Sequence, residues 1–150
     1  MAKFVYRMQN ILDIKLKLEE QEKVNFSVAS AAYNAEEEKL RQLMMRQAGY
    51  ERQLKELSQG TLNIRDIKSC KNAITSMKVA LRDQMIQVSK AKKNLDIARN
   101  RLNKVMSERK MHEKLKEKDF ELFKDEINRE ESKLTDELVS YTHFINEEQE

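Results

Sequence analysis

Three features of the sequence predict an all-α fold: two long helices in an antiparallel coiled-coil hairpin, with the second helix overhanging at its C-terminal end. First, Ile67, Ile74, Leu81, Val88, Leu95 and Leu102 recur at strict seven-residue spacing, and three residues after each stand Cys70, Met77, Gln84, Ala91, Ala98 and Val105. Seven residues is close to two helical turns, so the repeat draws one narrow apolar stripe that a partner helix must cover. Second, 150 residues contain no proline and only two glycines, so almost nothing punctuates the chain into short elements. Third, the one real break is Ser58-Gln59-Gly60-Thr61-Leu62-Asn63.

Composition agrees. Charged residues make up 37% and aromatics 6%, while a hydrophobic fraction of 39% is too high for plain disorder. Arranged as stripes, that fraction predicts a thin buried seam within a single coiled-coil domain over residues 1–150.

The first helix is expected from about residue 3 to 58. A heptad register runs through Val5, Met8, Leu12, Phe26, Ala29, Tyr33, Leu40, Leu43, Tyr50, Leu54 and Leu57, with polar residues Lys15, Glu19, Glu22, Glu36 and Gln47 on the same seam. Between residues 4 and 18 a neighbouring stripe of Phe4, Ile11, Ile14 and Leu18 fits as well, so the buried face is expected to drift there. Gly49, inside this helix, is expected to mark close approach of another backbone.

The turn is expected at about residues 59–63. Gly60 suits the left-handed position just past a helix end, and Asn63 can cap the next helix with Asp66 three residues on. Leu62 and Ile67 have the spacing of a hydrophobic staple. The second helix is expected over about 64–147. Folding about Gly60 brings Val5 near residue 116, so everything after about Lys118 should lack a partner within the chain.

The seam changes where that overhang begins. The register would meet Arg109, His112, Lys116 and Asp119, whereas apolar residues resume as Phe120, Phe123, Ile127, Leu134, Leu138 and Tyr141. This is a four-residue stutter, which rotates the stripe. Residues 99–118 carry eight basic side chains against three acidic, and residues 119–150 three against eleven. Pairing at i to i+4 favours mixing, so segregation into blocks needs another explanation. The acidic end opposes the helix dipole and should fray at residues 147–150.

Catalytic chemistry finds no support. There is no glycine-rich phosphate loop, no cysteine pair and no histidine pair at metal-binding spacing, so no metal or cofactor is expected. Cys70 on the seam reads as a buried, inert thiol, and His112 as an exposed helix residue. The formal charge of +3 is small and the basic block lacks aromatics for stacking, which argues against nucleic acid. No apolar stretch of 18 residues exists and the opening residues lack a signal-peptide core, so a cytoplasmic protein without direct membrane insertion is expected.

One stretch carries a family likeness. Glu108-Arg109-Lys110-Met111-His112-Glu113-Lys114-Leu115-Lys116-Glu117-Lys118, continuing through Phe123, Glu126, Arg129, Glu130-Glu131, Lys133 and Asp136-Glu137, resembles the C-terminal signature of the flagellar export protein FliJ family. There E-R-K-x-x-E-K-L-K-E is followed by Phe or Tyr and then E-x-x-R-x-E-x-K-x-x-D-E. Here the last glutamate before the lysine is Glu130 or Glu131, with Ser132 intervening. Phe4, Tyr6, Ile11 and Leu12 resemble the family's opening, from which Arg7 and Met8 depart.

The resemblance implies a non-enzymatic stalk similar to the gamma subunit of rotary ATPases, working in flagellar type III protein export and so in motility. Its terminal end is implied to enter the hexameric export ATPase, FliI, promoting ring assembly and ATP hydrolysis, with the export gate protein FlhA and export chaperones as further partners. It would sit peripherally at the cytoplasmic face of the basal body. The expected ring contacts are Arg7, Arg109, Lys110, Lys114, Lys116, Phe120, Phe123 and Arg129, and the expected gate contacts are Leu43, Tyr50, Met77 and Leu81. The alternatives are an escort for export chaperones and substrates, or a self-associating scaffold.

Overall fold

The computed structural model describes residues 2–149. It is all-α, with two long helices packed against each other, α1 (Gln9–Leu57) and α2 (Ile64–Glu148), and no strand among the described residues. The turn between them follows the glycine and asparagine signals. Gly60 adopts φ 96°, and the Asn63 side-chain oxygen accepts the Asp66 backbone N–H at 3.4 Å while its carbonyl accepts that of Ile67 at 3.0 Å. Lys55 in the last turn of α1 and Asp66 in the first turn of α2 complement the two helix dipoles. Leu62 stays largely exposed, so a staple with Ile67 covers little of it.

The chain divides into two compact units, one formed by the residues up to Glu19 and from Val105 onward, the other by Glu20–Lys104. In the second of these, the covered positions follow the heptads. On α1 they alternate by four and three from Glu22 through Phe26, Ala29 and Tyr33 to Leu57, and on α2 Cys70, Ile74, Ala91, Leu95 and Ala98 are buried. Two polar positions are satisfied across the seam. Gln84 Nε2 donates to the Glu36 carbonyl at 2.9 Å and to its carboxylate at 2.5 Å, and the Cys70 thiol donates to the Tyr50 carbonyl at 3.1 Å. Gly49 departs from expectation, because a Cβ built there meets nothing within 4 Å. Close backbone approach is not its reason.

In the other unit the sequence expectation needs three corrections. The first helix begins at Gln9, not at residue 3; residues 2–6 are non-helical and Arg7 and Met8 form a turn. The reason is geometric. Phe4 and Tyr6 would lie on opposite sides of a helix, whereas an extended chain sends residues two apart to the same side. Tyr6 is only 5% exposed while Val5 between them is 77% exposed, so Val5 is not a seam residue, and neither is the exposed Met8.

The second correction concerns drift. Ile11, Ile14 and Leu18 are exposed, and the original register of Leu12, Lys15 and Glu19 is the covered one. Lys15 and Glu19 hold that register by pairing with α2: Lys15 Nζ with Glu108 Oε2 at 2.6 Å, and Glu19 with Arg109. The third concerns the overhang. Phe4 packs edge-on against Phe120, with ring centroids 5.1 Å apart, and tilted against Phe123 at 5.5 Å. Phe123 and Ile127 are half-buried, so the bare stretch of α2 starts beyond Ile127 rather than at Lys118.

Candidate protein interface

Three stretches of the first unit surround the expected ring contacts: the non-helical segment, the start of α1, and α2 from Val105 onward. The steps Arg109, His112, Lys116 and Phe120 are three, four and four, which is the expected stutter in place. Arg109 and His112 stay half-buried through it. His112 is therefore not the exposed helix residue expected, and its Nδ1 is buried without a hydrogen-bond partner. The Tyr6 hydroxyl is likewise buried without one.

Arg109 is committed to structure. Its Nε donates to Glu19 Oε2 at 2.5 Å, its Nη2 to Glu19 Oε1 at 3.2 Å and its Nη1 to Glu113 Oε2 at 3.0 Å. The Glu19 hydrogen bond holds the Arg109 guanidinium above the usual arginine range, so it is charged at any accessible pH. Glu19, 5% exposed, is the buried charge that this fork satisfies.

The remaining expected contacts distribute differently. Arg7 and Arg129 are exposed, Lys116 is half-buried beside Leu12, Leu16 and Phe120, and Phe120 and Phe123 receive the Phe4 ring. Lys110 and Lys114 are exposed and, with Ser107, Met111, Leu115 and Lys118, line a shallow groove on α2. The basic block is thus split: Arg109 braces the seam, whereas Lys110, Lys114 and Lys118 form no ion pair among the described residues. Sequence reasoning passed over Met111 and Leu115; their four-residue spacing beside the lysines was the available signal. Further on, Leu134 is 60% and Tyr141 64% exposed, with Leu138, Val139 and Phe144 bare as well.

In the other unit, Leu43, Tyr50, Met77 and Leu81 are half-buried at seam positions, with Tyr50 also lining a groove beside Cys70. Met44, Met45 and Met85 are the more exposed side chains nearby in sequence. No group of three or more His, Cys, Asp or Glu able to hold a metal occurs among the described residues, and no helix there is long and apolar enough to cross a membrane.

A paired-helix fold whose candidate sites are exposed grooves and a bare helical extension defines a coiled-coil protein that works through contacts with other macromolecules. Over residues 4–148 the chain matches the family described as flagellar FliJ protein. It belongs to that family, and is therefore a component of a type III export apparatus, in a family of non-catalytic export components. Its fold is similar to that of the YscO homolog CT670 from Chlamydia trachomatis, at a TM-score of 0.58 and 21% identity, covering 99% of this chain and 100% of that one. No curated protein sequence matches the chain.

Proposed function

We propose that this chain is the stalk of the flagellar export ATPase, entering the FliI ring with the unit that holds both chain ends, promoting ring assembly and ATP hydrolysis, and linking the ring to the export gate protein FlhA. The observation that carries the reading is the length of α2 beyond Ile127, where Leu134, Leu138 and Tyr141 lie bare on an acidic helix. Exposed apolar side chains at helical spacing are costly to leave in water and mark a surface meant for another molecule. Arg7, Lys110, Lys114, Lys116, Phe120, Phe123 and Arg129 would meet the ring, with Arg109 bracing the helix that presents them. Leu43, Tyr50, Met77 and Leu81 are the proposed side toward FlhA. The protein would work at the cytoplasmic face of the basal body.

The test is ATP hydrolysis by purified FliI with and without the full chain. Stimulation that saturates with the chain is expected; unchanged hydrolysis at saturating chain would sink the stalk reading. A second reading, escort of export chaperones and substrates, is favoured by the exposed Met44, Met45 and Met85, because methionine adapts to varied apolar partners. It predicts chaperone binding with no effect on ATP turnover.

A further inference from the structure

We infer that the groove formed by Lys110, Met111, Lys114, Leu115 and Lys118 on α2 docks an acidic amphipathic helix of another protein. The inference rests on the preceding proposal only in taking Lys110 and Lys114 as contact residues, and it names the chemistry of what they contact. The floor is apolar: Met111 is 56% and Leu115 41% exposed, four residues apart, and exposed Leu122 continues the stripe two turns on. A stripe with this spacing fits the i, i+4, i+7 anchors of a partner helix. Lys110, Lys114 and Lys118, also four apart, form a row along one side of it.

Charge selects the occupant. The three ammonium groups are exposed and make no ion pair among the described residues, although Glu113 and Glu117 lie on the same helix. Three like charges in a row repel one another and gain most from a partner whose rim is acidic. A nucleic acid would use the lysines but would leave Met111 and Leu115 in water.

A second copy of this chain is a poor occupant. Its own acidic helix bears Leu134, Leu138 and Tyr141 roughly a quarter to half a turn around α2 from Met111 and Leu115, at about 100° per residue. A pairing through that face would meet Met111 and Leu115 head to tail, leaving a free face on each copy for the next.

The experiment measures fluorescence anisotropy of a labelled amphipathic peptide of about 18 residues, roughly five turns, with leucines on one face and glutamates beside them, titrated with the full chain. Saturable binding is expected, weakened about ten-fold or more, as for lost charge pairs at an interface, by Lys110→Glu/Lys114→Glu/Lys118→Glu. The charge-neutral pair Met111→Ser/Leu115→Ser should weaken it comparably. Equal binding of a scrambled peptide of the same charge, or undiminished binding by the serine variant, would overturn the groove. So would tighter binding of a short DNA duplex, or concentration-dependent self-assembly of the chain abolished by the same substitutions. FliI stimulation without peptide binding removes the groove and leaves the stalk; peptide binding without stimulation does the reverse.

Discussion

Arg109 reaches across 90 residues of sequence to grip Glu19 through two nitrogens, and Glu19 is the only charged side chain among the buried described residues. A buried pair of this kind is costly to break from one side, because the abandoned charge stays out of water. Arg109→Met should therefore lower the thermal midpoint more than breaking the exposed Arg41–Glu38 pair by Arg41→Met. Adding Glu19→Leu to Arg109→Met should recover most of the loss, and circular dichroism melts would read all three. The arginine, held above its ordinary range, contributes stability that is present below that range and fades only as pH rises past it. Raising the pH from 7 to 10 should leave the Arg109 effect unchanged.

The segment carrying Phe4 and Tyr6 predicts where the chain can be cut. Truncation after Asn128 removes described side chains that are all exposed except the half-buried Ile145 and should leave the melt nearly unchanged, whereas truncation after Lys118 also removes Phe120 and Phe123 from under Phe4. Phe4→Ala should cost about 1 to 2 kcal/mol by loss of ring contact and apolar burial. Hydrogen exchange over residues 116–127 would locate the loosening. Equal melts for the two truncations would contradict the packing of Phe4.

The two glycines should respond oppositely to alanine. Gly49→Ala gains helix propensity with open space for the methyl and should stabilise by about 1 kcal/mol. Gly60→Ala forces a side chain into the left-handed region and should cost about 1 to 2 kcal/mol. Urea unfolding of both variants gives the comparison.

Tyr33 donates to the Glu37 carboxylate at 2.5 Å, and that bond raises the phenol above its usual pKa. A group raised by folding adds stability that is complete below its ordinary pKa and is lost as pH climbs through the folded value. Glu37→Gln should bring the Tyr33 titration earlier, read from tyrosinate absorbance against a Tyr33→Phe control.

For the proposed activity, Lys110→Glu/Lys114→Glu/Lys116→Glu should cut FliI stimulation about ten-fold or more while helicity is retained. Full stimulation by that variant would remove these lysines from the ring contact.

Much of the fold was legible from periodicity. The register from Leu12 to Leu57, including the polar positions Lys15, Glu19 and Glu36, could be laid out because seven-residue spacing survives occasional charges. Whether a charged seam residue is paired is not written in its own neighbourhood: Glu19 depends on Arg109, and Glu36 on Gln84. The start of α1 was missed because no Ser, Thr, Asp or Asn caps it, and because Phe4, Val5 and Tyr6 are all apolar, so their alternating burial leaves no alternation in residue type. His112 was misplaced because a stutter hides which polar residues remain covered. The groove at Met111 and Leu115 was obscured by the family signature running through it, which drew attention to charge over the apolar residues between.

The thin seam sets how this protein answers to temperature. Among the described residues no large side chain is fully enclosed, and several covered positions are polar. Unfolding then wets little new hydrocarbon per residue, so its heat-capacity increment should fall below the about 12 to 15 cal/mol/K per residue of ordinary globules. A small increment flattens the stability curve: such a chain loses its grip slowly on warming and hardly at all on cooling.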